Sequence, residues 1–168
     1  DLRYAAWTGS SWDVQVVDSQ GDVGSDSSLA LDSSGNAHIT YYDQGNGSLK
    51  YAVRSGSTWN KQIVDNAGDV GGYTSLALDS SNRPRIGYRD WTNGDLKYAA
   101  WSGSQWQIQV VDSGDDAGSF TSLALDGGGR PRISYLGVSL GELKLATWSG
   151  TAWSKEVVDL AGLVGEAT

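Results

Sequence analysis

The chain has no cysteine and no methionine, two prolines, one phenylalanine and one histidine among 168 residues. Without cysteine there is neither a disulfide framework nor a thiolate metal site. The single histidine, His38, cannot supply a catalytic Ser–His–Asp set or a histidine metal cluster, and no phosphate-cradling glycine loop accompanies it. It reads as a partly exposed strand residue. No run of 18 apolar residues is present, so no segment has the character of a membrane-spanning helix. Basic residues are also scarce, 12 Lys and Arg against 20 Asp and Glu, for a net charge of −8. Nucleic acid and anionic membrane surfaces, which need concentrated positive charge, are therefore not expected partners. Neutral and cationic partners remain. The first residue falls inside a repeat, with no initiator methionine or signal segment before it, as expected of a processed form or a fragment.

What the chain does have is glycine, 23 residues of it, with eight Trp and eight Tyr. Such glycine, with Ser, Asn and Asp between short apolar runs, marks many tight turns joining strands. The runs recur. The phrase beginning at Leu2 ("LRYA") returns at Leu49, Leu96 and Leu143, a constant spacing of 47 residues, and "SLALD" at 28–32, 75–79 and 122–126 keeps the same period. Three periods and a little over half of a fourth fill the chain.

Each period holds four runs with strand chemistry, such as Ser28–Asp32, His38–Asp43, Ser48–Val53 and Trp59–Asp65. Short turn-like segments separate them, and one longer connection, Asn66–Thr74, leads to the next period. Three hairpin turns and a longer link describe a four-stranded antiparallel blade, so the expected fold is an all-β propeller. A solenoid coil is much shorter than 47 residues, and a sandwich gives no reason for a regular repeat. "SLALD", apolar or small on both faces, suits an inner strand between neighbouring blades, whereas "WNKQIVD" and "WQIQVVD" suit an outer strand in partial contact with solvent. Complete blades are expected at 27–65, 74–112 and 121–159, with residues 1–18 forming the outer half of another. Closed rings have four to eight blades, so an arc of three and a half is expected to self-associate as a homo-oligomer, a dimer being favoured.

The unit "SLALDSSNRPRIGYRDWTNGDLKYAAWSGSQW" resembles the tandem repeats of bacterial and archaeal surface propellers, and is loosely similar to the sialidase-type repeat. The turn Arg54–Trp59 ("RSGSTW") and its copies "TGSSW", "SGSQW" and "SGTAW" share the Gly and Trp of that repeat's turn and lack its aspartate in every copy. The resemblance implies an extracellular or cell-surface setting. Sialidase-like chemistry would need three arginines on a substrate carboxylate and a Tyr–Glu nucleophile pair. Here Arg83 and Arg130, like Arg85 and Arg132, occupy equivalent repeat positions, and the glutamates are only Glu142, Glu156 and Glu166. A glycosidase needs two converging carboxylates, whereas Asp18, Asp65, Asp112 and Asp159, and likewise Asp32, Asp79 and Asp126, recur at strand ends where they form turns. No catalytic residue is assigned, and no cofactor or metal is expected. Calcium in "DSQGDVG" or "DSGDDAG" is the weaker alternative, since neither has the ordered spacing of a calcium loop.

The aromatics are the more informative set. Trp12, Trp59, Trp106 and Trp153 recur in every copy and read as blade packing. Trp7, Trp101 and Trp148 give way to Arg54 in one copy, so that position lies nearer the surface, and Trp91 is unique to its copy. Exposed Trp and Tyr stack on sugar rings while polar neighbours bind the hydroxyls. Trp7, Trp91, Trp101, Trp148, Tyr42 and Arg89 are the candidate ligand-binding residues. The expected function is a non-enzymatic recognition module binding carbohydrate at repeated sites, which multivalency would strengthen. The alternatives are a protein–protein interaction propeller without a small-molecule site and, third, a glycosidase-like enzyme.

Overall fold

The computed structural model describes residues 1–160 and is all-β over them. It opens with a hairpin, β1 (Leu2–Trp7) and β2 (Trp12–Asp18). Three four-stranded antiparallel sheets follow, each in sequence order. The first is β3 (Val23–Leu31), β4 (Ala37–Asp43), β5 (Ser48–Ser55) and β6 (Thr58–Asp65). The second is β7 (Val70–Leu78), β8 (Pro84–Asp90), β9 (Asp95–Trp101) and β10 (Trp106–Asp112). The third is β11 (Ser119–Leu125), β12 (Pro131–Gly137), β13 (Glu142–Trp148) and β14 (Trp153–Asp159). These are three propeller blades and an outer hairpin. The first strands lie side by side on the inside of the arc: the Leu76 amide donates to Ser28 Oγ at 3.1 Å, and the Leu123 amide to Ser75 Oγ at 3.0 Å.

The first strand of each blade starts earlier than its apolar run. Residues 66–74 are not one long link, because the chain joins the sheet from Val70 (opposite Asp90) through two bulges before regular pairing resumes at Ser75. The bulges have a cause. Gly24, Gly71 and Gly118 take φ of +108°, +113° and +95°, and a Cβ on each would come within 2.9–3.0 Å of the Cα of Leu2, Leu49 or Leu96 in the preceding sheet. Only glycine tolerates both the backbone and the approach. The bulge carries Asp26, Tyr73 and Phe120, equivalent positions that all have positive φ.

The blades are joined by a repeated buried ionic cluster. Asp65 closes β6 and projects into the second blade, where the Tyr88 hydroxyl donates to it at 2.7 Å and the Lys97 ammonium at 2.6 Å. Asp18 is met in the same way by Tyr41 at 2.8 Å and Lys50 at 2.7 Å, with Lys61 on its other oxygen at 2.8 Å. Asp112 receives Tyr135 at 2.7 Å and Lys155 at 2.8 Å. These aspartates also accept from backbone amides just beyond the strand, as the turn reading required. Burial alone would raise the Asp65 pKa, but Lys97, the Ala67 amide and Tyr88 together hold it below the usual carboxylate value. Asp112 is lowered against the same burial cost by Lys155, Tyr135 and the Gly114 amide.

Since both carboxyls titrate lower in the folded protein, their contribution is present above the unfolded-state pKa of about 3.9 and is lost as pH falls through the folded value. Thermal melts should therefore show the midpoint falling steadily below about pH 4. Asp65→Asn should lower stability at neutral pH by on the order of 3 kcal/mol, because Lys97 loses its nearest counter-charge in a buried site. A melting temperature unchanged by this substitution at pH 7 would show that the cluster carries no stability.

Candidate functional site: cavities between the blades

Where two blades meet, the sequence sets a three-part contact. Trp106 on β10 places its ring edge against Tyr51 of the first blade, with centroids 5.5 Å apart, and its Nε1–H donates to Gln62 Oε1 at 3.2 Å. One repeat later Trp153 meets Tyr98 at 5.4 Å and donates to Gln109 Oε1 at 2.8 Å. Trp59 does the same with Tyr4 and Gln15 at 5.3 and 3.2 Å. Packing is thus the role of this tryptophan series. Trp12, at the same repeat position, is 64% exposed because no sheet precedes the hairpin among the described residues.

Beside the Trp106 and Trp153 contacts, at the end of the blade carrying the β7–β8 and β9–β10 turns and their counterparts, lies a cavity. Between the second and third blades it has a volume of about 310 Å³, with Arg85, Tyr98, Gln107 and Gln109 on one wall and Arg130, Pro131 and Trp148 on the other. Between the first and second blades the repeat-equivalent cavity, about 250 Å³, is lined by His38, Tyr51, Gln62, Arg83, Pro84 and Trp101. Volumes near 300 Å³ lie at the small end of small-molecule pockets. The Trp148 ring is fixed by its cross-strand partner Trp153, with centroids 5.3 Å apart, and Trp101 by Trp106 at 5.2 Å.

The polar wall is preorganised. Arg85 is held by Asp79 Oδ2 at 2.7 Å. Asp79 stays ionised, at about pKa 2, because the Arg83 amide, Arg85, the Ser81 amide and the Arg83 side chain outweigh burial. In the other cavity His38 stands where Arg85 does. Its ring and the Tyr51 hydroxyl share a 2.5 Å hydrogen bond, while buried Nε2 has no hydrogen-bond partner, and Asp32 lies 3.6 Å from it. Burial lowers the His38 pKa, with Asp32 opposing, which favours the neutral ring. This is a buried residue, not the partly exposed one expected, because the neighbouring blade covers it. In the third equivalent position, between the hairpin and the first blade, Arg54 replaces the tryptophan and lies over the Tyr4 ring at 5.9 Å.

The expected residues do not form one site. Trp101 and Trp148 line the two cavities just described. Trp7 lies on the outer hairpin, 57% exposed and packed on Trp12 at 5.5 Å. Tyr42 and Trp91 meet at the opposite end of the blades, around a cavity of about 410 Å³ that also contains Ser25, Asp26, Gln44 and Asp69. There the Tyr42 hydroxyl donates to Asp69 Oδ1 at 2.5 Å, and burial, then Asp69, push its pKa up to about 12. Arg89 is 4% exposed, stacked 4.4 Å from the Trp91 ring and hydrogen-bonded to Asp116 and Ser119, so it is enclosed by the fold. Arg85, Gln109 and Tyr98 line a cavity without being among the candidate ligand-binding residues. Their equivalence across copies reads as structural, and only the blade packing places them opposite Trp148.

The first aspartate of each candidate calcium segment faces ammonium groups: Asp18 faces Lys50 and Lys61, and Asp112 faces Lys155, with Lys144 at 3.6 Å. Among the described residues no group of three or more His, Cys, Asp or Glu is placed to hold a metal ion.

No protein-family profile matches this chain, and no curated protein matches it. Solved structures do. A fucose lectin from Kordia zhangzhouensis in complex with methyl-fucoside aligns over 77% of this chain and 96% of its own, with 21% identity and a TM-score of 0.54. A variant of the Aleuria aurantia lectin in complex with Fucα1-6GlcNAc aligns over 96% of this chain and 53% of its own, at 18% identity and a TM-score of 0.65. The SapL1 lectin in complex with α-methyl fucoside aligns over 92% of this chain and 55% of its own, at 16% identity and a TM-score of 0.61. The chain thus spans about half the length of two of these lectins. The likeness establishes a shared propeller fold.

Replacing Trp106 by Phe removes its hydrogen bond to Gln62 and part of the edge contact with Tyr51. The expected loss is about 1–2 kcal/mol of stability, read as a lower denaturation midpoint with an unchanged denaturant slope. A midpoint within error of the parent would show that Trp106 does not hold the blades together.

Proposed function

We propose that this chain is a lectin-like carbohydrate-binding module whose sites are the inter-blade cavities at Arg85/Trp148 and His38/Trp101. One observation carries the reading. The same cavity, built from a fixed tryptophan ring, a cationic or imidazole group, a glutamine amide and a buried tyrosine hydroxyl, occurs at both junctions between complete blades. A flat aromatic face suits the apolar face of a pyranose, and the convergent donors suit its hydroxyls. The lectin propellers of like fold support the choice of sugar over other neutral ligands, with fucosides the first class to test.

The reading is non-enzymatic and needs no cofactor: no carboxylate lines either cavity, so the acid and nucleophile of a glycosidase are not present there. Kinship with the sialidase-type repeat rests on the Gly and Trp of the turn at Arg54–Trp59 alone. An extracellular or cell-surface setting agrees with a glycan ligand. A protein–protein role is the second reading, favoured by Trp12 and Leu29, which are 64% and 54% exposed, whereas the counterparts of Trp12 in later blades are half-buried and those of Leu29, Leu76 and Leu123, are buried. Self-association over this edge, into a dimer first, is the assembly to test by light scattering: a monomeric mass at micromolar concentration argues against it.

Titration of the ¹⁵N-labelled chain with α-methyl fucoside should shift the indole signals of Trp101 and Trp148 saturably. Trp148→Ala and Arg85→Ala should each weaken binding at their own cavity tenfold or more, about 1.4 kcal/mol, and leave the Trp101 cavity unaffected. If a panel of methyl glycosides, fucose included, moves neither indole at tens of millimolar sugar, the lectin reading is wrong.

A further inference from the structure

The opposite end of the blades carries a second kind of site, and the repeat itself indicates what it would bind. Between the second and third blades, the protein fills this position with its own cation. Arg89 stacks on Trp91 at 4.4 Å, and its guanidinium is received by the Asp116 carboxylate, the Asp116 carbonyl at 3.2 Å and Ser119 Oγ at 2.5 Å. Tyr73, on the bulge, closes the niche against Trp91 at 5.4 Å and Phe120 at 4.8 Å.

One repeat earlier, between the first and second blades, the equivalent residues are changed in a correlated way. Tyr42 stands at the Arg89 position, Asp26 at the Tyr73 position and Gln44 at the Trp91 position, while Asp69 keeps the Asp116 position. The indole at this junction is therefore Trp91 of the neighbouring blade, which already has Arg89 over its ring. One built-in cation is gone and one carboxylate is gained. These residues, with Trp91, Gln44 and Ser25, surround the cavity of about 410 Å³. Asp26 and Asp69 are both exposed, and no lysine or arginine lines the cavity. Tyr42 already donates to one oxygen of Asp69 at 2.5 Å, and the Trp91 amide fixes the loop by donating to the Asp69 carbonyl at 2.8 Å. The nearby Arg89 does not oppose an incoming cation, since Asp116 answers its charge.

A cavity with two carboxylates and two aromatic side chains, Tyr42 and Trp91, fits a planar organic cation. Guanidinium bonds to carboxylate through its fork of N–H donors and stacks on indole, and it is less strongly hydrated than ammonium. We propose that this cavity is a binding site for a guanidinium group supplied from outside the chain, taking the role that Arg89 plays internally at the next junction. The site lies at the far end of the blades from the cavities assigned to sugar and does not rest on that assignment. A free guanidinium compound and an arginine side chain offer the same head group.

The test is a titration of ¹⁵N-labelled protein with methylguanidinium chloride, with sodium chloride at matched ionic strength as the control, following the Trp91 indole N–H. A saturable shift is expected with methylguanidinium and not with sodium chloride. Asp26→Asn and Trp91→Ala should each weaken it at least fivefold. Tyr42→Arg should abolish it while keeping the folded spectrum, because an internal guanidinium then pairs with Asp69 as Arg89 pairs with Asp116. N-acetyl-arginine methylamide distinguishes the sources: tighter binding than methylguanidinium supports an arginine side chain as the natural ligand, and equal binding supports a free compound. The proposal is overturned by the absence of a saturable shift, by undiminished binding in Tyr42→Arg, or by displacement with α-methyl fucoside.

Discussion

The buried carboxylate that closes an outer strand facing a following blade, Asp18, Asp65 or Asp112, is the interaction on which the arc depends. Asp65 is held at once by the Lys97 ammonium, the Tyr88 hydroxyl and its own turn amide, so a single side chain ties the last strand of one blade to the middle strands of the next. Such a cluster is weak evidence for net stability, because desolvating the charges costs as much as their attraction returns. Its value is positional. Once Asp65 is buried, any slip between blades separates charges that no water can reach, and the cost of that separation fixes the register. The tryptophan–tyrosine–glutamine contact and the inter-blade cavities inherit their geometry from this constraint.

Repetition supplies the scaffold, and departures from repetition supply chemistry. The cavity at Arg85 and Trp148 and the one at His38 and Trp101 share a frame and differ in charge, since a neutral imidazole replaces a guanidinium. At the opposite end the change runs the other way, from an internally neutralised Arg89–Asp116 pair to an acidic pocket at Asp26 and Asp69. Where Arg54 stands in place of Trp101 and Trp148, the aromatic wall is lost and the side chain lies over Tyr4 instead. A duplicated blade thus holds variant versions of each cavity, altered by a few substitutions within a common frame.

The architecture was legible because its signals are local. Period, turn chemistry and strand alternation reside in consecutive residues, and they gave an all-β propeller of four-stranded antiparallel blades. Bulges were not legible, since the crowding that requires Gly71 comes from Leu49 in another sheet. The same reason governs the site. Trp101 and Trp148 stood out through their replacement by Arg54, whereas Arg85 and Gln109 were disguised by their regular recurrence. Arg89 looked available for a ligand, and the fold closes it beneath Trp91.

By itself the sequence determined the unit: 47 residues, four strands, a tryptophan to open the outer strand and an aspartate to end it, because each of these follows from neighbours along the chain. Only the tertiary structure decided which residues face one another across a blade junction. The partners of a pair such as Trp153 and Gln109 lie 44 residues apart, and that distance is closed by packing one sheet on the next. Whether an arginine is a wall of a cavity, as Arg85 is, or a sealed internal cation, as Arg89 is, depends on the blade beside it.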